Sequence, residues 1–176
     1  MGPEMRWADF EAAAPALATQ TRTLIERFGF VLLGTIRRDG TPRISPIEAH
    51  LVNGRLMLVM IAGSRKAGDV SRDPRIVLQS PVTEPGDPGT ELKLRRRAAE
   101  VDQAQRAATA AAIEAASGWR PRPSWRFLSI EVQSVAVLEW IEGEMVLTCW
   151  DRLRGLRAPE RRRLDLEQSR YHRVKE

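Results

Sequence analysis

The chain has 176 residues, of which 43% are hydrophobic, and a formal net charge of +5 at neutral pH. This length and composition predict a single folded domain with a hydrophobic core of its own. The single cysteine, Cys149, excludes an internal disulfide, and the lack of a long apolar segment or signal core predicts a cytoplasmic protein that does not cross a membrane.

The basic residues are spread along the chain rather than gathered in one region. Runs of three arginines occur at 95–97 and 161–163, but only 6% of the residues are aromatic and Tyr171 is the single tyrosine. Proteins that hold single-stranded nucleic acid use aromatic side chains on which the bases stack. Because arginine runs like these are more often solvated faces, the composition does not favour nucleic acid as a partner.

The first third of the chain predicts a helix followed by three strands. Apolar residues at helical spacing over 15–28, with Gly29 after them, predict the helix. Two Asx-Gly pairs separate the β-rich runs and predict hairpins, since a type I′ turn needs positive φ at both central residues. The runs are 30–36, 43–52 and 55–61, and the pairs are Asp39-Gly40 and Asn53-Gly54. The third run is almost wholly apolar, so we expect a helix or another subunit to cover its second face.

The remaining two thirds predict further strands with two short helices. A helix over 64–71 is expected to end before Pro74, and an alanine-rich helix over 102–117 begins at Asp102. Strands are predicted at 76–80, 91–101, 125–132, 134–141 and 145–150, with a loop at 81–90. The arginine-rich tail, 151–176, has few large apolar residues to anchor it. The pattern is mainly β and predicts an antiparallel barrel of six to seven strands over 30–150.

The segment Ser64-Arg65-Lys66 carries the most specific chemistry. Two cations in the first turn of a helix oppose the helix dipole by roughly 0.3 to 1 kcal/mol each. A phosphate held by free backbone N–H groups, the Ser64 hydroxyl and both cations would offset that cost. The alternative is a solvated basic helix start in which Ser64 serves only as the N-cap.

The strand before it offers a second polar element. Alternation places Arg43 and Ser45 on the face shared by apolar neighbours, and Pro46 predicts a sheet edge or bulge because proline cannot donate to the ladder. Glu48 and His50 fall on the opposite face, where a surface pair is favoured over a catalytic or metal pair.

Four motifs follow one another over residues 35–78: T-x-x-x-D-G-x-P-R-I-S-P-I, N-G-R-L-x-L, G-S-R-K-A and S-R-D-P-R-I-x-L. In this order and spacing they resemble the N-terminal half of the pyridoxamine 5′-phosphate oxidase-like flavoproteins, which are FMN-binding split β-barrels. The resemblance weakens towards both ends of the chain.

The resemblance implies an FMN site built from ten residues, usually at a homodimer interface, and such an interface would also explain the apolar third strand. The ring would be bordered by Arg43, Ile44, Ser45 and Pro46, the ribityl chain by Met60, Ile61 and Ala62, and the phosphate by Ser64, Arg65 and Lys66. The oxidase's C-terminal arginine and histidine motif is not recognisable in the tail, so vitamin B6 phosphate is not the expected substrate.

The leading hypothesis is therefore an FMN-dependent oxidoreductase that acts on a small molecule, with the flavin supplying the redox chemistry. No side chain is marked as its acid or base. One alternative is the deazaflavin coenzyme F-420, whose longer acidic tail would suit the surplus of arginine. Another is a carrier without turnover that holds flavin or haem, for which His50 or His172 would matter.

Overall fold

The computed structural model describes residues 5–82, 90–165 and 170–173, which form four helices and eleven strands. The helices are α1 (Trp7–Ala13), α2 (Pro15–Phe28), α3 (Arg65–Arg72) and α4 (Gln103–Ser117). The strands are β1 (Val31–Ile36), β2 (Pro42–Ile47), β3 (Ala49–Val52), β4 (Arg55–Met60), β5 (Arg75–Gln79), β6 (Glu91–Glu100), β7 (Arg126–Ile141), β8 (Glu144–Asp151), β9 (Gly155–Leu156), β10 (Glu160–Asp165) and β11 (Arg170–Arg173). None of these four helices has the length and hydropathy of a membrane-spanning segment.

Seven strands form the barrel wall, in the order β2-β1-β5-β6-β7-β4-β3, and the chain passes from β2 to β3 through Glu48. The pairings along this wall are antiparallel. The first half of β7 pairs with β4, whereas its second half pairs with β8, which carries β10 and β11 away from the barrel. The predicted split β-barrel is therefore confirmed.

Two hydrophobic cores lie on either side of β4. Leu56, Leu58 and Met60 point into the larger core inside the barrel. Met57 and Val59 point into a smaller core that α4 closes from outside. The expectation that a helix or another subunit covers this strand is thus answered by α4 of the same chain. The inference that a subunit interface explains its apolar sequence is wrong.

The two predicted Asx-Gly hairpins differ in their turns. At Asn53-Gly54 both residues have positive φ, +52° and +66°, as a type I′ turn requires. At Asp39-Gly40 only the glycine does, with φ +83°, and the connection is longer. Asp39 instead accepts a hydrogen bond from the Thr41 amide at 3.0 Å, so this hairpin is confirmed and its turn type is wrong.

Several elements differ from the sequence predictions. The predicted strand over 43–52 breaks at Glu48, and the two predicted strands over 125–141 form one strand with a bulge opposite Arg95 and Arg96. The helix α1, which was not predicted, buries Trp7 and Phe10. Helix α2 has the predicted bounds. Most of the predicted 81–90 loop lies outside the described residues.

The arginine-rich tail is anchored by strand pairing rather than by apolar side chains. Strand β10 pairs with β8, and Glu144 accepts hydrogen bonds from both Arg161 and Arg163, at 3.2 and 2.8 Å. Arg162 pairs with Glu160 at 2.8 Å. The expectation of a poorly anchored tail is therefore wrong for β10, because pairing with β8 satisfies its backbone and two glutamates hold its three arginines.

Candidate functional site

A cleft of about 400 Å³ lies where β2, β4 and the start of α3 meet. Its lining is mostly apolar, with three polar side chains among ten residues: Phe30, Pro46, Ile47, Glu48, Val59, Met60, Ile61, Ser64, Lys66 and Trp125. Pockets for small organic molecules typically have volumes of about 300 to 1,000 Å³ and apolar walls with a few placed polar groups. The cleft matches that description in both size and character.

The structure brings five of the ten predicted site residues to this cleft, namely Pro46, Met60, Ile61, Ser64 and Lys66. The other five, which do not line it, are Arg43, Ile44, Ser45, Ala62 and Arg65. Ile44 is 72% exposed on the outer face of β2, and Ser45 is half-buried on the inner face. Ala62 is exposed in the connection between β4 and α3.

The first turn of α3 presents unpaired backbone donors. Ser64 is the N-cap, as predicted, and its Oγ accepts a hydrogen bond from the Ala67 amide at 3.3 Å. The amides of Arg65 and Lys66 donate to no acceptor within the described part of the chain. Free N–H groups at a helix N-terminus, together with the helix dipole, attract anions.

Lys66 connects this helix start to β2. Its Nζ donates to the Pro46 carbonyl at 2.8 Å, and β2 is the last strand of its sheet, as a proline within a strand predicts. Burial lowers the pKa of Lys66, and the negative charge of Glu48 opposes that shift. An ammonium has three donors, so two remain for other partners.

Arg65 occupies the outer side of the same turn. Its side chain is exposed and makes no hydrogen bond or ion pair with any residue that the structure describes. It is therefore a cation at the first position of α3 that no carboxylate of the described residues balances.

Arg43 forms an ion pair that the sequence did not predict. Its Nε donates to Asp69 Oδ2 at 2.6 Å, and Asp69 also accepts from Thr35 Oγ1 at 3.1 Å and from Arg72 at 2.9 Å. The hydrogen bond from Arg43 is the main cause that lowers the pKa of the buried Asp69 to about 2. Arg43 is thus committed to holding α3 against β2.

Sequence reasoning missed Asp69 and also Trp125, the side chain that forms the aromatic wall of the cleft. Asp69 lies on the face of α3 that Ala67 and Val70 bury, and their spacing of three residues was the available signal. Trp125 lines the cleft, but it stands in a proline-rich loop whose path no periodicity indicates.

His50 packs behind that aromatic wall. Its ring stacks on that of Trp119, with the ring centroids 5.6 Å apart and an angle of 13° between the planes. The ring centroids of Trp119 and Trp125 are also 5.6 Å apart. Burial lowers the pKa of His50, while the charge of Glu48 raises it. The His50 Nε2 atom is buried and has no hydrogen-bond partner among the described residues.

Comparison with known proteins identifies the family. The family model for pyridoxamine 5′-phosphate oxidase matches residues 17–139. No curated protein shows significant sequence similarity to the chain.

Solved structures share the fold at low identity. Campylobacter jejuni ChuZ superposes with a TM-score of 0.65 at 11% identity, over 82% of this chain and 63% of that one. A haem-binding protein from Mycobacterium smegmatis superposes with a TM-score of 0.57 at 22% identity, over 75% of this chain and 57% of that one. A structure named as an F420 reductase superposes with a TM-score of 0.51 at 16% identity, over 65% of this chain and 94% of that one. Since the family model covers well over half of the sequence, the chain belongs to the pyridoxamine 5′-phosphate oxidase family.

Proposed function

We propose that the chain binds FMN in this cleft and acts as a flavin-dependent oxidoreductase on a small molecule. The observation that carries the proposal is the position of the α3 N-terminus, with Ser64 and Lys66, at one end of a mostly apolar cleft of about 400 Å³. FMN matches these two parts of the cleft, because it has a phosphate at one end and a planar ring at the other. When bound, it supplies the group that accepts and donates electrons.

The polar end of the cleft suits the phosphate. The free amides of Arg65 and Lys66 provide two donors, the Ser64 hydroxyl a third, and the Lys66 ammonium a charge beside them. The same anion would balance the Arg65 guanidinium. Such a ligand removes the electrostatic cost of placing two cations at a helix N-terminus.

The rest of the cleft suits the ring. The end of β4, Val59 and Met60, lines the cleft, and Trp125 offers an aromatic face. Pro46 places the edge of β2 along the cleft, and Glu48 adds a carboxylate next to it. These residues bind and orient a planar molecule and exclude water from it.

The arginine run 161–163 gives little support to vitamin B6 phosphate or nucleic acid as a ligand. Arg161 and Arg163 share Glu144, and Arg162 pairs with Glu160, so two carboxylates within the chain offset most of the charge of this run. These ion pairs leave the run less free positive charge for a phosphate than its sequence alone suggests.

Coenzyme F-420 is a second candidate for the same cleft. The uncommitted, exposed Arg65 guanidinium suits a ligand whose acidic tail continues beyond the phosphate. The shared fold with a structure named as an F420 reductase supports this reading.

The geometry gives less support to a haem carrier that uses a histidine ligand, although a haem-binding protein shares the fold. The Nε2 atom of His50 is buried behind Trp119, and the Nε2 atom of His172 lies 3.5 Å from Asp165. Neither imidazole is presented to the cleft.

A homodimer is part of the proposal. Ile44 of β2, Gly34 of β1 and Val77 of β5 lie side by side on one outer sheet face, where Ile44 is 72% and Val77 40% exposed. The apolar surface continues to the cleft, since Phe30 and Ile61 both line it and are 38% and 58% exposed. Exposed apolar patches of this kind mark protein interfaces. A second copy on this face would cover the open side of the cleft.

The experiment is retention of a chromophore. The purified protein is incubated with FMN, coenzyme F-420 or haemin and freed of unbound ligand, and its visible spectrum and the mass of the molecule released on denaturation are recorded. We expect FMN to be retained. Retention of coenzyme F-420 without FMN would support the second candidate, and retention of none of the three would contradict the proposed function.

A further inference from the structure

Helix α3 is fixed to the barrel from two sides. On one side Asp69 joins it to Arg43 of β2. On the other side the Arg126 guanidinium reaches it from the start of β7. Its Nη1 donates to the Ala67 carbonyl at 3.0 Å and also contacts Ser71 Oγ.

The same guanidinium is held from behind. Its Nη2 donates to Glu100 Oε2 at 2.6 Å, and Arg106 of α4 donates to the other oxygen of that carboxylate at 2.8 Å. The hydrogen bond from Arg126 is the main cause that lowers the pKa of Glu100. With only 19% of its side chain exposed, Arg126 is a fixed bridge and not a mobile surface cation.

The bridge connects the two walls of the cleft. Arg126 follows Trp125, which lines one wall, and stands opposite Met60 in the β4–β7 ladder. The carbonyl that it binds belongs to Ala67, the residue after Lys66 on the other wall. Arg126 therefore fixes the distance between the aromatic wall and the first turn of α3.

We propose that Arg126 is a positioning residue for the bound nucleotide's phosphate: it holds the amides of Arg65 and Lys66 at the end of the cleft where the phosphate lies. This inference rests on the proposed function. The side chain at position 126 needs the forked donors of a guanidinium, because it binds the Ala67 carbonyl and the Glu100 carboxylate at the same time. The ammonium of a lysine would do this less well.

The test compares FMN with riboflavin, which has the same ring but no phosphate. Dissociation constants of both ligands are measured by flavin fluorescence for the wild-type protein, Arg126→Met, Arg126→Lys and Arg106→Met, and the melting temperature of each is recorded. Arg106→Met is the matched control, because Arg106 shares Glu100 with Arg126, while its hydrogen bonds within the described part of the chain go to Glu100 and the Val101 carbonyl and not to α3.

We expect Arg126→Met to lower the preference for FMN over riboflavin by about tenfold, through weakened FMN binding. Arg126→Lys should show an intermediate loss, and Arg106→Met should stay within about twofold of wild type. A purely structural role would weaken both ligands equally.

An unchanged FMN preference in the Arg126 variants, or an equal loss of both ligands, would overturn the inference while leaving the proposed function intact. If Arg126→Met does not fold, the ratio for Arg126→Lys decides. A wild-type protein without any preference for FMN would instead contradict the phosphate site itself, and the role of Arg126 with it.

Discussion

Arg43 and Asp69 join β2 to α3 through a hydrogen-bonded ion pair, with Nε 2.6 Å from Oδ2. The Asp69 side chain is 6% exposed and that of Arg43 is 19% exposed, so water screens the pair only weakly. The helix that carries Ser64 and Lys66 has few apolar residues to bury, namely Ala67 and Val70. Its placement therefore depends on this pair and on Arg126.

Replacing Asp69 by Asn should destabilise the protein by about 3 kcal/mol at neutral pH, as is typical when one partner of a buried pair is removed. The measurement is urea unfolding. The control is Asp73→Asn, which removes the exposed pair with Arg75 and should cost much less. Equal losses for the two variants would contradict the importance of the buried pair.

The destabilisation of Asp69→Asn should also depend on pH. Because the pKa of Asp69 is lowered from 3.8 to about 2, its charge stabilises the folded state above pH 3.8, and this contribution is lost as the pH falls towards 2. The difference in unfolding free energy between wild type and Asp69→Asn should shrink across that range. A difference that stays constant with pH would show that the carboxylate charge is not what stabilises α3.

Replacing Gly34 by Ala should destabilise the barrel by about 1 to 2 kcal/mol, because an added Cβ would lie 2.5 Å from Val77 Cγ1 on the adjacent strand. Valine cannot easily turn away, since its χ1 is restricted. The double variant Gly34→Ala with Val77→Ala should recover most of the loss in thermal unfolding. Strictly additive effects would show that the two residues do not touch.

Replacing Ile44 by Glu should convert a dimer to a monomer, because a charge would be buried in the proposed interface. Leu153→Glu is the comparison variant, since Leu153 is 93% exposed in the turn after β8 and is not one of the residues of the proposed interface. Sedimentation velocity gives the oligomeric state of each. A monomeric wild-type protein, or a dimer that persists in Ile44→Glu, would rule out this face as the interface.

The sequence predicted the barrel because its hairpins and helix caps depend on local patterns. Turn chemistry at Asn53-Gly54 and Glu142-Gly143, where all four residues have positive φ, places the hairpins. Ser64 is a cap whose effect is confined to one turn. Such features do not depend on what packs against them.

Long-range partners were harder to predict. Whether Arg43 faces a ligand or Asp69 depends on the packing of α3 across β2, and the two residues are 26 positions apart. The tail gave no apolar signal because backbone pairing with β8 and ion pairs with Glu144 hold it. Trp125 lines the cleft because it directly precedes Arg126, which pairs with Met60 at the end of β4, and alternation along one strand cannot reveal that long-range pairing.

The most direct test of an anion site at the start of α3 is the preference for FMN over riboflavin in wild type, Lys66→Met and Lys93→Met. Lys93 is the control, because its ammonium pairs with Glu91 on β6, away from the cleft. We predict that wild type prefers FMN by at least about tenfold, that Lys66→Met loses most of this preference, and that Lys93→Met keeps it. Equal affinity of the wild-type protein for both ligands, or a full preference for FMN in Lys66→Met, would contradict the site.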